Sequence, residues 1–351
     1  MPSTPKILEC TLRDGSYAID FQFNAADTTR IAARLDELGF PYIEVGHGIG
    51  LGASDKRMGT AAATDEQYCL AAAAAVTRGQ WGMFCIPGIA ELSDLDMAAT
   101  HGMDFIRVGT EVTEAEKSKP FIEKARALGL YVFSNLMKSY VSPPAYFAEQ
   151  AQKCVEYGAQ CVYVVDSAGG MLPSEIGLYI DAFRETAPTV AVGFHGHNNL
   201  GMGVANALYC AERGVDVVDA SLQGFGRSAG NTQTEQFVAA LSRAGYDLML
   251  DPIDVMQAGE ELIRPLMHEA GVSSLDITAG LALFHSSYMN RVLSAAKQHR
   301  VDPRRLIVAL CALDRVNAPS ALIDEAAREV QRLHAPMSPA LVRQYFGEEQ
   351  K

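Results

Sequence analysis

The stretch CVYVVDSAGGMLPSEIGLYIDAFRETAPTVAVGFHGH, residues 161–197, reads as a strand, a helix and a second strand. Its first six residues and the run from Val190 to His197 are short and apolar on both faces, as strands of a covered parallel sheet are. Between them, Ser174 to Glu185 spaces its apolar residues like an amphipathic helix. The same unit repeats toward both ends of the chain. Upstream stand KILECTL with a helix over Ala25 to Leu38, YIEVG with Ala61 to Val76, WGMFCI with Glu91 to Ala99, FIRVG with Glu114 to Leu128, and YVFSNLM with Ala145 to Tyr157. Downstream come a helix over Gly203 to Arg213, the strand VVDASL, and a helix over Thr234 to Ala244. Strands roughly 25–30 residues apart, each followed by a helix, imply right-handed parallel crossovers. Eight such units point to a closed (β/α)8 TIM barrel. No GxGxxG follows the first strand, which weighs against a doubly wound dinucleotide fold.

Beyond Pro252 the pattern turns helical, in MQAGEELIRPLMHEA, LFHSSYMNRVLSAAKQH, PRRLIVALCAL and ALIDEAAREVQRL. The expected division is a catalytic barrel over residues 1–250 and a helical C-terminal region over 251–351. That region could cover the barrel mouth, join subunits, dock a partner or simply pad the barrel.

Of 351 residues, 48% are hydrophobic and 20% charged, the make-up of a chain able to bury a core. The net charge of −13 disfavours nucleic acid and anionic membranes. The N-terminus has no basic segment leading into an apolar run, and no stretch is long enough to span a bilayer, so a cytoplasmic location is expected. Seven scattered cysteines without a CxxC pair suit reduced core thiols.

In such a barrel the chemistry sits at the C-terminal ends of the strands. There this sequence offers Arg13 and Asp14, Glu44 and His47, Arg107, Asp166 and Ser167, His195 and His197, and Asp219 and Ser221. His195 and His197 are two apart, so both imidazoles leave an extended strand on one face. An HxH pair alone also suits two structural histidines. Asp14, however, ends another odd-numbered strand, and alternate strands share an interior layer, which lets a carboxylate meet the imidazoles. Two histidines and a carboxylate suit Mn2+, Mg2+, Co2+, Fe2+ or Zn2+ with positions open for substrate oxygens. Arg13 could hold an enolate or carboxylate oxygen beside that ion, or serve only as an ion pair.

TLRDGS (Thr11–Ser16), HGHNNLGMGVANAL (His195–Leu208) and DASLQGFGRSAGN (Asp219–Asn231) resemble the metal-dependent TIM-barrel lyases that form pyruvate or condense acyl groups. 3-Hydroxy-3-methylglutaryl-CoA lyase, isopropylmalate synthase and 4-hydroxy-2-oxovalerate aldolase belong to that group. IEVGHGIGLGAS, IPGI, VVDSAGGM and IRPL look most like the aldolase branch. The resemblance implies retro-aldol cleavage of a 4-hydroxy-2-oxoacid to pyruvate and an aldehyde, with Asp14, His195 and His197 on a divalent ion, Mn2+ first among the candidates. It implies further that Arg13 stabilises the enolate; Ser167 and nearby loop amides could orient the substrate carboxylate. It also implies an oligomer and an acylating aldehyde dehydrogenase as partner. One departure stands out. The branch carries a catalytic His three residues after the Asp ligand, where this chain has Tyr17, and His285 stands where the branch has a Tyr. An exchange of roles would make His285 the base, with Tyr17 positioning the C4 hydroxyl; a changed substrate is the other reading. Two alternatives remain open at this point: Claisen condensation of acetyl-CoA with a 2-oxoacid, and a non-catalytic scaffold regulating a partner.

Overall fold

A computed structural model describes residues 3–267 and 273–334, together with Val342, Tyr345 and Phe346. Eight parallel strands close on one another in chain order: β1 (Lys6–Glu9), β2 (Tyr42–Glu44), β3 (Gln80–Cys85), β4 (Phe105–Glu111), β5 (Tyr131–Met137), β6 (Cys161–Asp166), β7 (Ala191–Gly196) and β8 (Val217–Ala220). The helices α1 (Ala25–Leu38), α2 (Asp65–Ala75), α3 (Leu92–Thr100), α4 (Lys119–Ala127), α5 (Pro144–Tyr157), α6 (Pro173–Thr186), α7 (Gly203–Glu212) and α8 (Thr234–Arg243) follow them in turn. The TIM barrel expected from the alternation is therefore present. The helix starts obey ordinary capping chemistry. Asn24 and Thr64, for example, accept from the third backbone N–H of α1 and α2, satisfying donors that the helix itself cannot.

The period-2 alternation of the strands stacks the barrel interior in layers. A lower plug of Leu8, Tyr42, Phe105, Phe133, Tyr163 and Val217 is apolar. Two residues further along their strands, Glu44, Arg107 and Asp219 form a charged layer, and His195 joins it from β7, paired in register with Val165. The apolar plug thus acts as a floor on which a polar site is built.

C-terminal to the barrel lie α9 (Pro252–Leu262), α10 (Ser274–Ala282), α11 (Met289–His299), α12 (Pro303–Leu313) and α13 (Ser320–Leu333). Val255, Ala258 and Leu262 of α9 pack into the barrel's outer core. Ala279, Phe284, Val292, Leu306, Leu310 and Ile323 build a second apolar cluster. The helical run expected from Met256 to Ala270 stops at Leu262, because Pro265 brings no N–H and disfavours helix at the residue before it; residues 268–272 lie outside the described residues. The end of α10 sits on the loop after β6, where Gly170 permits close contact. A Cβ there would collide with the Gly280 carbonyl oxygen and come within 2.8 Å of Leu283 Cδ2. Among the described residues no helix is long and apolar enough to cross a membrane.

Candidate active site

Asp14, His195 and His197 converge at the barrel mouth, each offering a ligand atom within 4.8 Å of the others, and all three are buried. The two imidazoles are oriented from behind. His195 Nδ1 donates to Asp219 Oδ2 at 2.8 Å, and His197 Nδ1 donates to the Gly230 carbonyl at 3.3 Å. Since neither acceptor can donate, both protons sit on Nδ1 and both Nε2 lone pairs are left for an ion. Burial holds the His197 imidazole down to about 3, so it is neutral at pH 7. Burial alone would raise Asp14, but the Arg13 guanidinium and the neighbouring imidazoles outweigh it and keep the carboxyl well below its usual range.

Asn231 adds an observation that tests the fit of a cation. Its amide nitrogen donates to Asp14 Oδ2 at 2.7 Å, while its buried carbonyl oxygen has no partner. An orphaned oxygen beside a carboxylate and two imidazole lone pairs is costly without a positive charge and natural with one. The donor set thus fits a divalent ion.

A continuous chain of charges joins Asp14 to His195. Arg13 Nη1 donates to Asp14 Oδ1 at 2.6 Å and its Nε to Glu44 Oε2 at 2.9 Å; Arg107 Nη1 donates to the same Glu44 oxygen at 2.8 Å. Arg107 Nη2 then pairs with Asp219, which holds His195. Arg107, Glu44 and Asp219 are entirely shielded from solvent, and such charges persist only when paired. Three carboxylates against two guanidiniums leave this chain one negative charge, matched to an incoming cation.

Besides Glu44, Arg107 and Asp219 of this chain, the other residues expected at the site have distinct places. Arg13, Asp14, Tyr17, Ser167, His195, His197 and His285 all line one cavity of about 210 Å³. His47 and Asp166 have structural work instead. His47 stacks on Phe21 at 4.0 Å, bonds the Gly59 carbonyl and accepts from the Ile49 amide, fixing the loop after β2. Asp166 accepts from the Gly170 and Met171 amides in the loop after β6. Ser221 is buried with its hydroxyl unpartnered, and no role follows from its position.

Tyr17 and His285 share the cavity, with Arg227 between them. The guanidinium carbon lies 5.6 Å from the Tyr17 ring, and Nη2 donates to His285 Nε2 at 3.2 Å. Because arginine only donates, Nε2 of His285 accepts from Arg227, while Nδ1 meets Ser287 Oγ at 2.7 Å and the Ser287 amide at 3.3 Å. Burial, then the charges of Arg227 and Lys138, push His285 well below its ordinary value. Burial raises Tyr17, which is therefore a proton donor at neutral pH. Arg227, Asn231 and Lys138 were not singled out from sequence. All three line or support the site, and only the DASLQGFGRSAGN motif hinted at the first two. That glycine-rich loop orients His197 through Gly230 and carries Arg227 and Asn231.

The HMGL-like family model matches residues 4–262. A 4-hydroxy-2-oxovalerate aldolase of Rhodococcus jostii is 41% identical over 336 residues, covering 95% of this chain and 98% of its own. That of Carboxydothermus hydrogenoformans is 38% identical over 328 residues, covering 93% and 97%. Among solved structures, the fold is shared with the HMG-CoA lyase of Brucella melitensis at TM-score 0.64 and 22% identity, over 77% of this chain and all of that one. The carboxyl transferase domain of Rhizobium etli pyruvate carboxylase superposes with TM-score 0.75 at 18% identity, over 94% of this chain and 60% of that one.

Proposed function

The chain belongs to the HMGL-like family, and from that premise we propose that it is a metal-dependent aldolase cleaving a 4-hydroxy-2-oxoacid to pyruvate and an aldehyde. The observation that carries the reading is the buried convergence of Asp14, His195 and His197 beside Arg13 at the mouth of the barrel. A divalent ion held by these residues would polarise the 2-oxo group, so that the electron pair released from the C3–C4 bond has an acceptor. Mn2+ is the ion we favour, since carboxylate and imidazole donors without thiolate suit it.

The remaining roles fall to side chains of the cavity. Arg13 spends Nε and Nη1 on Glu44 and Asp14; its Nη2 has no partner among the described residues and is the donor for the developing enolate oxygen. Ser167 Oγ accepts from the Lys138 amide at 3.1 Å, which leaves its own proton for the substrate carboxylate. Neutral His285 takes the C4 hydroxyl proton, and Tyr17 orients that hydroxyl. Residues 251–351, so far as they are described, we read as a helical cover over a barrel of residues 1–250. The exposed Ile277, Leu281, Leu313 and Leu333 are its contact surface for other subunits or for an acylating aldehyde dehydrogenase.

The test is pyruvate release from a panel of 4-hydroxy-2-oxoacids, before and after chelation, with Asp14→Ala alongside. Activity lost on chelation, restored by Mn2+ and absent from the variant is expected. Pyruvate release that survives both chelation and Asp14→Ala would refute the metal assignment.

A further inference from the structure

Arg227 is the cavity's uncompensated charge. Among the described residues it pairs with no carboxylate, and its Nε is shielded from solvent without any partner. The other cations of the site are all matched: Arg13 by Asp14 and Glu44, Arg107 by Glu44 and Asp219, and Lys138 by Glu111 at 2.6 Å. A divalent ion and one substrate carboxylate would bring the floor of the site to neutrality and still leave Arg227 unanswered. A guanidinium whose Nε is shielded without an acceptor, and whose only bonded partner among the described residues is a neutral imidazole, is costly unless the ligand supplies an anion.

Its position says where on the substrate that acceptor lies. If the C1 carboxylate and 2-oxo group face Asp14, His195 and His197, the C4 hydroxyl faces His285 and Tyr17. Arg227 touches His285 Nε2 and lies against the Tyr17 ring, so it stands one group beyond C4. The geometry points to a substrate that carries a carboxylate directly on C4, a 4-hydroxy-2-oxo diacid whose aldehyde product is itself an anion; this rests on the aldolase reading above. Ile49, Ile86 and Ile89, which also line the cavity, supply apolar surface for the carbon chain. An arriving carboxylate also draws Arg227 off His285 Nε2 and so frees the lone pair that must accept the C4 proton. Substrate binding and base release are then one event.

Two five-carbon 2-oxoacids without a 4-hydroxyl group isolate binding from cleavage: 2-oxoglutarate carries the extra carboxylate, and 2-oxovalerate carries a methyl group in its place. Calorimetry on the full-length Mn2+-loaded protein should find 2-oxoglutarate bound roughly 10–100-fold tighter, the worth of a charge-assisted hydrogen bond. Arg227→Ala should erase the preference while leaving pyruvate binding unchanged, and Arg227→Lys should retain part of it. Equal affinity of the parent for both acids, or equal loss of both in Arg227→Ala, overturns the inference. Turnover of 4-hydroxy-2-oxoglutarate against 4-hydroxy-2-oxovalerate separates the two layers. The binding preference with no pyruvate from either substrate sustains the anion site and sinks the retro-aldol reading. Pyruvate from both with equal kcat/KM, and no binding preference, does the reverse.

Discussion

Replacing Asp219 by Asn should weaken metal binding without unfolding the barrel. One oxygen, Asp219 Oδ2, receives both His195 Nδ1–H at 2.8 Å and Arg107 Nη2. The other, Oδ1, is buried without a partner. An asparagine can therefore keep its carbonyl where two donors demand one and turn its NH2 into the position that has none. Geometry survives while a negative charge disappears. The chain from Asp14 to His195 then carries two guanidiniums against two carboxylates, so the site meets the cation with no net charge instead of one negative charge, and His195 Nδ1–H keeps only a neutral acceptor. Losing such support behind a ligating histidine typically costs about 10–100-fold in metal affinity, or roughly 1.4–2.8 kcal/mol. Mn2+ titration by calorimetry reads it directly, with circular dichroism and thermal unfolding confirming the fold. Equal Mn2+ affinity in a well-folded Asp219→Asn protein would refute the claim that the buried charge chain tunes the ligands.

His285→Ala should cost about 10²–10⁴-fold in kcat/KM. Because burial and neighbouring cations depress the imidazole, the acidic limb of the parent profile should lie well below pH 6.5, leaving activity flat across neutrality, and the variant should lack that limb. Glu9, buried and raised to about 7, holds a proton in the folded state that the unfolded chain gives up near 4.5. Its contribution is complete below pH 4.5 and lost as pH rises through 7, roughly 3 kcal/mol in all. Denaturant unfolding from pH 5 to 8 should show that decline in the parent and a flatter one in Glu9→Gln; parallel slopes would exclude Glu9 as the source. Gly170→Ala should lift the end of α10 and carry His285 with it, raising KM or lowering kcat at least tenfold at unchanged Mn2+ affinity. Full activity would show that the cover is not held by this contact.

The barrel was legible because strands covered on both sides must be apolar throughout, and that signal survives in runs such as FIRVG and CVYVVD. The HxH pair was legible for the same geometric reason, since alternation along a strand needs no tertiary knowledge. What could not be read was pairing across the barrel. Glu44 and Arg107 are 63 residues apart, and Arg107 and Asp219 are 112 apart. Their opposition follows only from closing the sheet. Arg227 was hidden differently. It sits in a loop whose next residue, Ser228, adopts φ 54°, and where a side chain points after such a turn is set by its surroundings rather than by any period. His285 was visible only as a residue type out of place, and its contact with Arg227 only once the C-terminal region was folded over the mouth.

The charge chain from Asp14 to His195 has a consequence for how this protein can diverge. Every one of its members holds another, so a change at any of them propagates to both Asp14 and His195, and none has latitude to respond to a new substrate. Discrimination is left to the rim: the loops after β2, β3 and β8 and the segment around His285, which reach the cavity without entering the chain. The scaffold thus separates a part that cannot vary from a part that can, and new substrates can be explored at the rim while the reaction itself stays the same.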